Sequence, residues 1–339
     1  MDPLTSPLPQ EMVANWHRLC SCDDICTYIP HLAQYLLDQI EIRDEDTARR
    51  ITALRHDALA QALELLLSWF RNVGGARWLI SPLPPAGADV EPEAERILAD
   101  EYTFYSQTDR ILRRADGGLN WDYQGPTGDQ EWAWALNRHF HLGILLEAFL
   151  KTGNSRYAAR IDQDLRDWII HSFPYPARQS SSAMWRGLEI HFRAKRWTEI
   201  FFRLQQSPQF NPATRILVLL SLIAHAHYLR HFHKPTGNWI AMELCGLTAI
   251  ATRIPEYRFS GAYLQYAEER LQQELRNQFY PDGAQKELTA SYHWVTLHNF
   301  EEFSRLCAQA GLSVAETFHE GIERACDYLA ALLRPSGCG

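Results

Sequence analysis

The sequence predicts an all-α fold, and three observations carry that expectation. Apolar residues recur at three- and four-residue steps over long stretches, strand-like alternation is nearly absent, and the breaks between stretches hold residues that start or stop helices. The stretches, in chain order, are residues 47–70, 132–151, 157–171, 185–205, 212–232, 261–279 and 292–310. Thr152-Gly153-Asn154 separates the second from the third. Asn211-Pro212 opens the fifth, with Asn as a side-chain cap and Pro at a position whose missing N–H costs nothing. Gly237-Asn238-Trp239 opens a further helix that stops at Ile254-Pro255. Pro281-Asp282-Gly283 is a turn in which Pro sets φ and Gly accepts positive φ. Residues 81–93 and 114–130 read as long loops, the usual carriers of sites on a rigid scaffold. With no heptad pattern, many antiparallel helices of similar length point to stacked hairpins or an α/α toroid rather than a coiled coil.

Bulk properties narrow the function classes. The chain has 339 residues, 46% of them hydrophobic, enough for one large domain or two ordinary ones. A net charge of −8 without a basic run argues against general nucleic-acid binding, while leaving room for a local basic groove. The N-terminus lacks the basic start and apolar run of a signal peptide, so the compartment stays undetermined. The most apolar run, residues 216–224, is too short to span a bilayer. Seven cysteines form no disulfide framework, and Cys20, Cys22 and Cys26 match no zinc spacing. Eleven Trp and fourteen Tyr suit a sugar-binding surface; Trp121, Trp239 and Trp294 are placed in loops, whereas Trp132, Trp168 and Trp197 are expected in the core.

The densest chemistry runs from Gly237 to His293: Gly237-Asn238-Trp239, Pro255-Glu256-Tyr257, Gln278-Phe279-Tyr280-Pro281-Asp282-Gly283, and Glu287-Leu288-Thr289-Ala290-Ser291-Tyr292-His293. Upstream stand Glu131-Trp132-Ala133-Trp134-Ala135-Leu136-Asn137-Arg138-His139, Tyr157, Asp167-Trp168-Ile169, Trp185-Arg186, Leu188-Glu189, Arg193 and Trp197. Any one of these motifs is weak; together and in order they are specific. From Glu95 to Pro335 the chain resembles the heparinase II/III and alginate lyase group of polysaccharide lyases.

That resemblance implies an incomplete α/α toroid spanning residues 94–339, with residues 1–93 part of it or packed on it, and with the family's C-terminal β-sandwich absent from this chain. It also implies β-elimination beside a uronic-acid carboxylate. Asn238 matches the amide that hydrogen-bonds the carboxylate as charge builds up, and Tyr292 the phenol that transfers protons. An acidic polysaccharide is the implied partner, and no cofactor is expected outside the sandwich. Taken alone, Asn238 reads as a helix cap and Tyr292 as a half-buried aromatic.

Other candidates on the substrate path are Arg138 and His139, Trp239, Glu243, Glu287 and His293. Arg186, Glu189 and Arg193 share one helical face at i, i+3 and i+7, suited to an ion-pair ladder or a sugar-carboxylate contact. His225, His227, His231 and His233 lack the Glu of a zincin motif, Tyr standing at 228, and read as a polar helix end near the cleft. Two alternatives remain: a carbohydrate-binding domain without turnover, and an inverting glycoside hydrolase using carboxylates such as Glu243, Asp282 and Glu287.

Overall fold

Side-chain caps start six of the helices. The structure, a computed structural model, describes residues 3–332. Asp44, Asp129, Asn154, Asn211 and Thr289 each accept a backbone N–H of the first turn that follows, and Ser21 with Asp24 forms a capping box. The helices are α1 (Gln10–Ala14), α2 (Cys22–Tyr28), α3 (Pro30–Gln39), α4 (Glu45–Leu54), α5 (Leu59–Asn72), α6 (Pro92–Leu98), α7 (Gln130–Asn137), α8 (Phe140–Thr152), α9 (Ser155–His171), α10 (Gly187–Arg203), α11 (Pro212–Phe232), α12 (Asn238–Arg253), α13 (Ser260–Gln278), α14 (Ala290–Gln309) and α15 (Glu316–Leu332).

Two expected helices are each broken in two. The 47–70 stretch is interrupted at residues 55–58, where Ala58, with φ −142° and ψ 56°, leaves the helical region. The 132–151 stretch breaks at His139, whose φ of 58° is left-handed. Tertiary contacts hold that break: Asn137 donates to Trp121 O and accepts from Trp168 Nε1, and His139 Nδ1 accepts from Trp197 Nε1. A hairpin also interrupts the all-helical pattern, with β1 (Glu101–Phe104) antiparallel to β2 (Gln107–Arg110). Its two turn residues, Tyr105 and Ser106, have φ of 50° and 64°. Both signs positive is the I′ hairpin geometry, normally written Asn-Gly, so Tyr-Ser concealed it.

Four antiparallel hairpins follow: α8/α9, α10/α11, α12/α13 and α14/α15. Cross-pairs fix their direction, including His141–Asp164, Arg193–His225, Gly237–Gln278 and His293–Ala325. The first helices of successive hairpins run parallel to one another. Phe140 meets Phe192, Gly187 faces Glu243, and Cys245 reaches Asn299. All four therefore begin on one rim, which is the arrangement of an α/α toroid. Residues of α2, α3 and α5 pack on α11 from the other side.

The core centres on α11 and the helices around it, with Trp132, Trp168 and Trp197 buried as expected. Helix α11 corrects the hydropathy reading. It is 21 residues long and apolar enough to cross a bilayer, unlike any other helix among the described residues, yet 89% of its apolar window is buried by its neighbours. Packing inside the protein accounts for that apolarity.

Candidate active site

The rim where α10, α12 and α14 begin gathers the sequence candidates. Asn238 is the first residue of α12, and Gly237 before it is the cap residue, with φ of 89° that side-chain-bearing residues rarely adopt. The capping reading of Asn238 is thereby displaced. Its half-buried amide makes no side-chain hydrogen bond among the described residues. The loop ahead of it is held from three directions. Arg270 donates to Pro235 O at 2.7 Å, Gln278 to Gly237 O at 3.0 Å, and the Lys234 backbone N–H to Glu243 Oε2 at 2.8 Å.

Tyr292 occupies the first turn of α14, where Thr289 Oγ1 caps its backbone N–H. The side chain is 47% exposed. Its relation to Asn238 follows from helix register. Cys245 Sγ donates to Asn299 O across the parallel α12 and α14, a separation of 54 residues, and Asn238 and Tyr292 are separated by the same 54. Moving seven residues back along two parallel helices of equal rise keeps them level.

The floor of the rim is cationic and aromatic. Arg186 makes two 2.6 Å bonds to Glu189, and Arg138 Nε reaches the same carboxylate at 3.3 Å. The Arg186 guanidinium stacks 3.4 Å from the Trp134 ring and lies 5.0 Å from Trp239, with Lys234 Nζ 5.6 Å from the same Trp239 ring. Tyr105, from the hairpin turn, accepts from Arg138 NH1 at 3.0 Å. Trp134, Lys234 and Tyr105 were not singled out in the sequence. Trp134 lies one helical turn before Arg138, and Lys234 just precedes the Gly-Asn-Trp turn; Tyr105 gave no signal.

Several candidates lie below this floor rather than on it. Glu189 is fully buried as the counter-ion of Arg186 and Arg138. Arg193 is not the third rung of a ladder: it donates to Asn137 O, Met184 O and His225 Nε2. His139 is fully buried between tryptophans, and burial drives its pKa well below the usual histidine range. It lines no channel here, because the left-handed turn points it into the core. His293 is buried too, accepting from Gln285 N and bonding Ala325 O, so it holds the Gln285 loop against α15. Glu287 stands exposed in the loop before α14.

Glu243 is 1% exposed, and burial pushes its carboxyl up to about 7, with the Glu189 charge adding to the rise and the Lys234 N–H opposing it. Gly187 makes room for it, since a Cβ there would sit 1.8 Å from Glu243 Oε1. Of the loop tryptophans, Trp121 is buried and donates to Asp167 Oδ2, while Trp294 is exposed on α14 and stacks on His298. His227 and His231 contact Tyr263, and His233 contacts Tyr266. Among the described residues no group of three or more His, Cys, Asp or Glu is placed to hold a metal.

Parallel helices starting on one rim, with hairpin partners behind, define an α/α toroid whose helix starts carry an amide, a phenol and stacked cations. The chain belongs to the heparinase II/III family: the family model described as Heparinase II/III N-terminus matches residues 49–338. Among curated relatives it is similar to the heparin-sulfate lyase of Pedobacter heparinus, 25% identical over 262 residues, covering 76% of this chain and 39% of that protein. It is also similar to the heparin-sulfate lyase of Bacteroides thetaiotaomicron, 23% identical, covering 66% and 32%. In fold it matches a crystal structure of heparinase III with a TM-score of 0.76 at 19% identity, covering 89% of this chain and 47% of that one. Heparan sulfate lyase HepC from Pedobacter heparinus matches with a TM-score of 0.70 at 20% identity, covering 89% and 49%. The chain thus spans about a third of the length of these curated relatives and about half that of the solved structures.

Proposed function

We propose that this chain is the helical part of a polysaccharide lyase that cleaves a uronic-acid polymer of the heparan sulfate type by β-elimination. The observation that carries the proposal is the uncommitted Asn238 amide set level with the exposed Tyr292 phenol at the starts of two parallel helices. The family membership and the heparin-sulfate lyase names of the relatives supply the substrate class.

The chemical obstacle is the weak acidity of a proton beside an ionised carboxylate. Asn238 donates to that carboxylate, favouring the enolate-like charge that develops as the proton leaves, and it brings no competing acid. Tyr292 takes the proton beside the carboxylate as base, the C–H electron pair becomes the new double bond, the glycosidic C–O bond breaks, and the same tyrosine passes that proton to the departing oxygen as acid. Arg138, Arg186, Lys234 and Trp239 present charge and an aromatic face to an acidic sugar. Glu189 and Glu243 hold those groups from below, and Glu287, on the loop before Tyr292, borders the substrate.

The test is to incubate the chain with heparan sulfate and other uronic-acid polymers and follow the ultraviolet absorbance of unsaturated ends. Wild type gives the signal; Tyr292→Phe abolishes it while binding stays within a few-fold. Unchanged turnover in that variant rejects the assignment. Reducing ends without the absorbance indicate hydrolysis, and binding with neither signal indicates a carbohydrate-binding domain.

A further inference from the structure

A second cluster of cations lies behind the rim floor, on the far side of Phe192, over whose ring Arg138 sits at 5.5 Å. Lys195, Arg196 and Arg203 of α10, Arg253 of α12 and Arg305 of α14 border a cavity of about 390 Å³, which Phe140 and Phe192 line with aromatic surface. Arg253 closes α12 while Asn238 opens it, so these two residues are roughly 22 Å apart at about 1.5 Å of rise per residue.

Two carboxylates serve these five cations, and each is engaged twice. Glu199 pairs with Arg196 and Arg203, both at 3.1 Å; Glu302 pairs with Lys195 at 2.7 Å and Arg305 at 2.5 Å. Three positive charges are left over. Arg253 is the uncompensated one in structural terms: it is 6% exposed, forms no ion pair among the described residues, and its Nε has no hydrogen-bond partner. Its NH1 donates to Lys195 O at 2.8 Å and Thr198 Oγ1 at 2.9 Å, which orients the guanidinium without neutralising it. Burial pulls its pKa down to about 10; Glu199 and Glu302 oppose that fall, and Arg305 and Arg196 add to it.

Compensation of helix dipoles accounts for basic residues in the last turns of α10 and α12. It does not account for five cations on one cavity with two carboxylates between them, one of the five a guanidinium 6% exposed and without an ion pair among the described residues, since a buried charge costs free energy unless it is paired. A tetrahedral oxyanion meets that need, because arginine forks present several N–H groups to it at once. We propose that this cavity is an oxyanion site that takes a sulfate group. Inorganic sulfate and the sulfate ester of a glycan share the required chemistry. Only the glycan as source rests on the lyase reading above; the site itself does not.

Calorimetric titration of the full chain tests this, with inorganic sulfate against chloride at matched ionic strength. Saturable sulfate binding is expected, weakened about tenfold or more in Arg305→Gln and in Arg203→Gln. Both side chains are partly exposed, so folding, checked by circular dichroism, survives the change. Tyr292→Phe is expected to bind sulfate as wild type does, which separates failure here from failure of the lyase assignment. Competition by a sulfated uronic-acid oligosaccharide, absent for its desulfated form, identifies a glycan sulfate; sulfate binding without such competition identifies a free oxyanion. No sulfate binding beyond chloride, or unchanged binding in both arginine variants, overturns the proposal.

Discussion

Glu243→Gln isolates the energetic cost of building the rim over a buried carboxylate. Glu243 lies beneath the Lys234–Asn238 loop with a carboxyl raised by burial from 4.5 to about 7. A raised folded pKa means the native state holds the proton more tightly than the unfolded chain does. The stability this confers is fully present below 4.5, is lost as pH climbs toward 7, and stays lost above it. Across that window, at about 1.4 kcal/mol per pH unit, the loss is about 3 kcal/mol. Glutamine keeps an acceptor for the Lys234 N–H but does not ionise, so the variant should lack this pH dependence. Urea unfolding of both proteins between pH 5 and 8 measures it as a difference, which cancels every other titrating group. Wild type should lose roughly 2 kcal/mol or more relative to the variant as pH rises over that range. A difference that is flat with pH would show that Glu243 is solvated and that its burial does not set its charge.

Further outcomes follow from the same geometry. Gly187→Ala forces a methyl group within 1.8 Å of Glu243 Oε1, so it should destabilise by roughly 1–3 kcal/mol in denaturant unfolding, and much less when combined with Glu243→Ala. Gly237→Ala meets no atom within 4 Å but must adopt a φ of 89°; a loss of about 1–2 kcal/mol is expected, together with weaker turnover because the Asn238 amide moves. Asn238→Ala should leave stability within about 0.5 kcal/mol, since its side chain caps nothing, while removing lyase activity. A stability loss of cap size in that variant would restore the capping role. Trp239→Ala should raise KM for polymer more than it lowers kcat, by steady-state kinetics, if Arg186 and the Trp239 ring act in binding.

Much of the scaffold was legible because helix formation is largely local. Asn211-Pro212 and Thr152-Gly153-Asn154 mark the boundaries of α11 and of the α8/α9 hairpin, and apolar periodicity placed the helices between them. The order of the Gly237–His293 motifs carried the family and marked Asn238 and Tyr292 as the candidates for its central pair. Other features depended on partners distant in sequence. His139 takes a left-handed turn to accept from Trp197, Tyr105 and Ser106 form a hairpin turn without its usual residues, and Arg193 leaves the Glu189 ladder for Asn137, Met184 and His225. Exposure was equally non-local: Trp121 and Trp239 both read as loop tryptophans, yet only Trp239 borders the rim.

By itself the sequence determined that the chain is helical, where most helices start and stop, and that Asn238 and Tyr292 are the residues to examine, because caps, apolar spacing and motif order are properties of short segments. Only the tertiary structure decided that α12 and α14 run parallel in a register that sets those two residues level. It also decided that Glu189, Glu243, His139 and His293 support the rim from beneath it, and that five cations converge on a cavity with two carboxylates between them. Parallel register, burial and net local charge arise from segments packed together across dozens of intervening residues, and no local pattern encodes which side chains will meet.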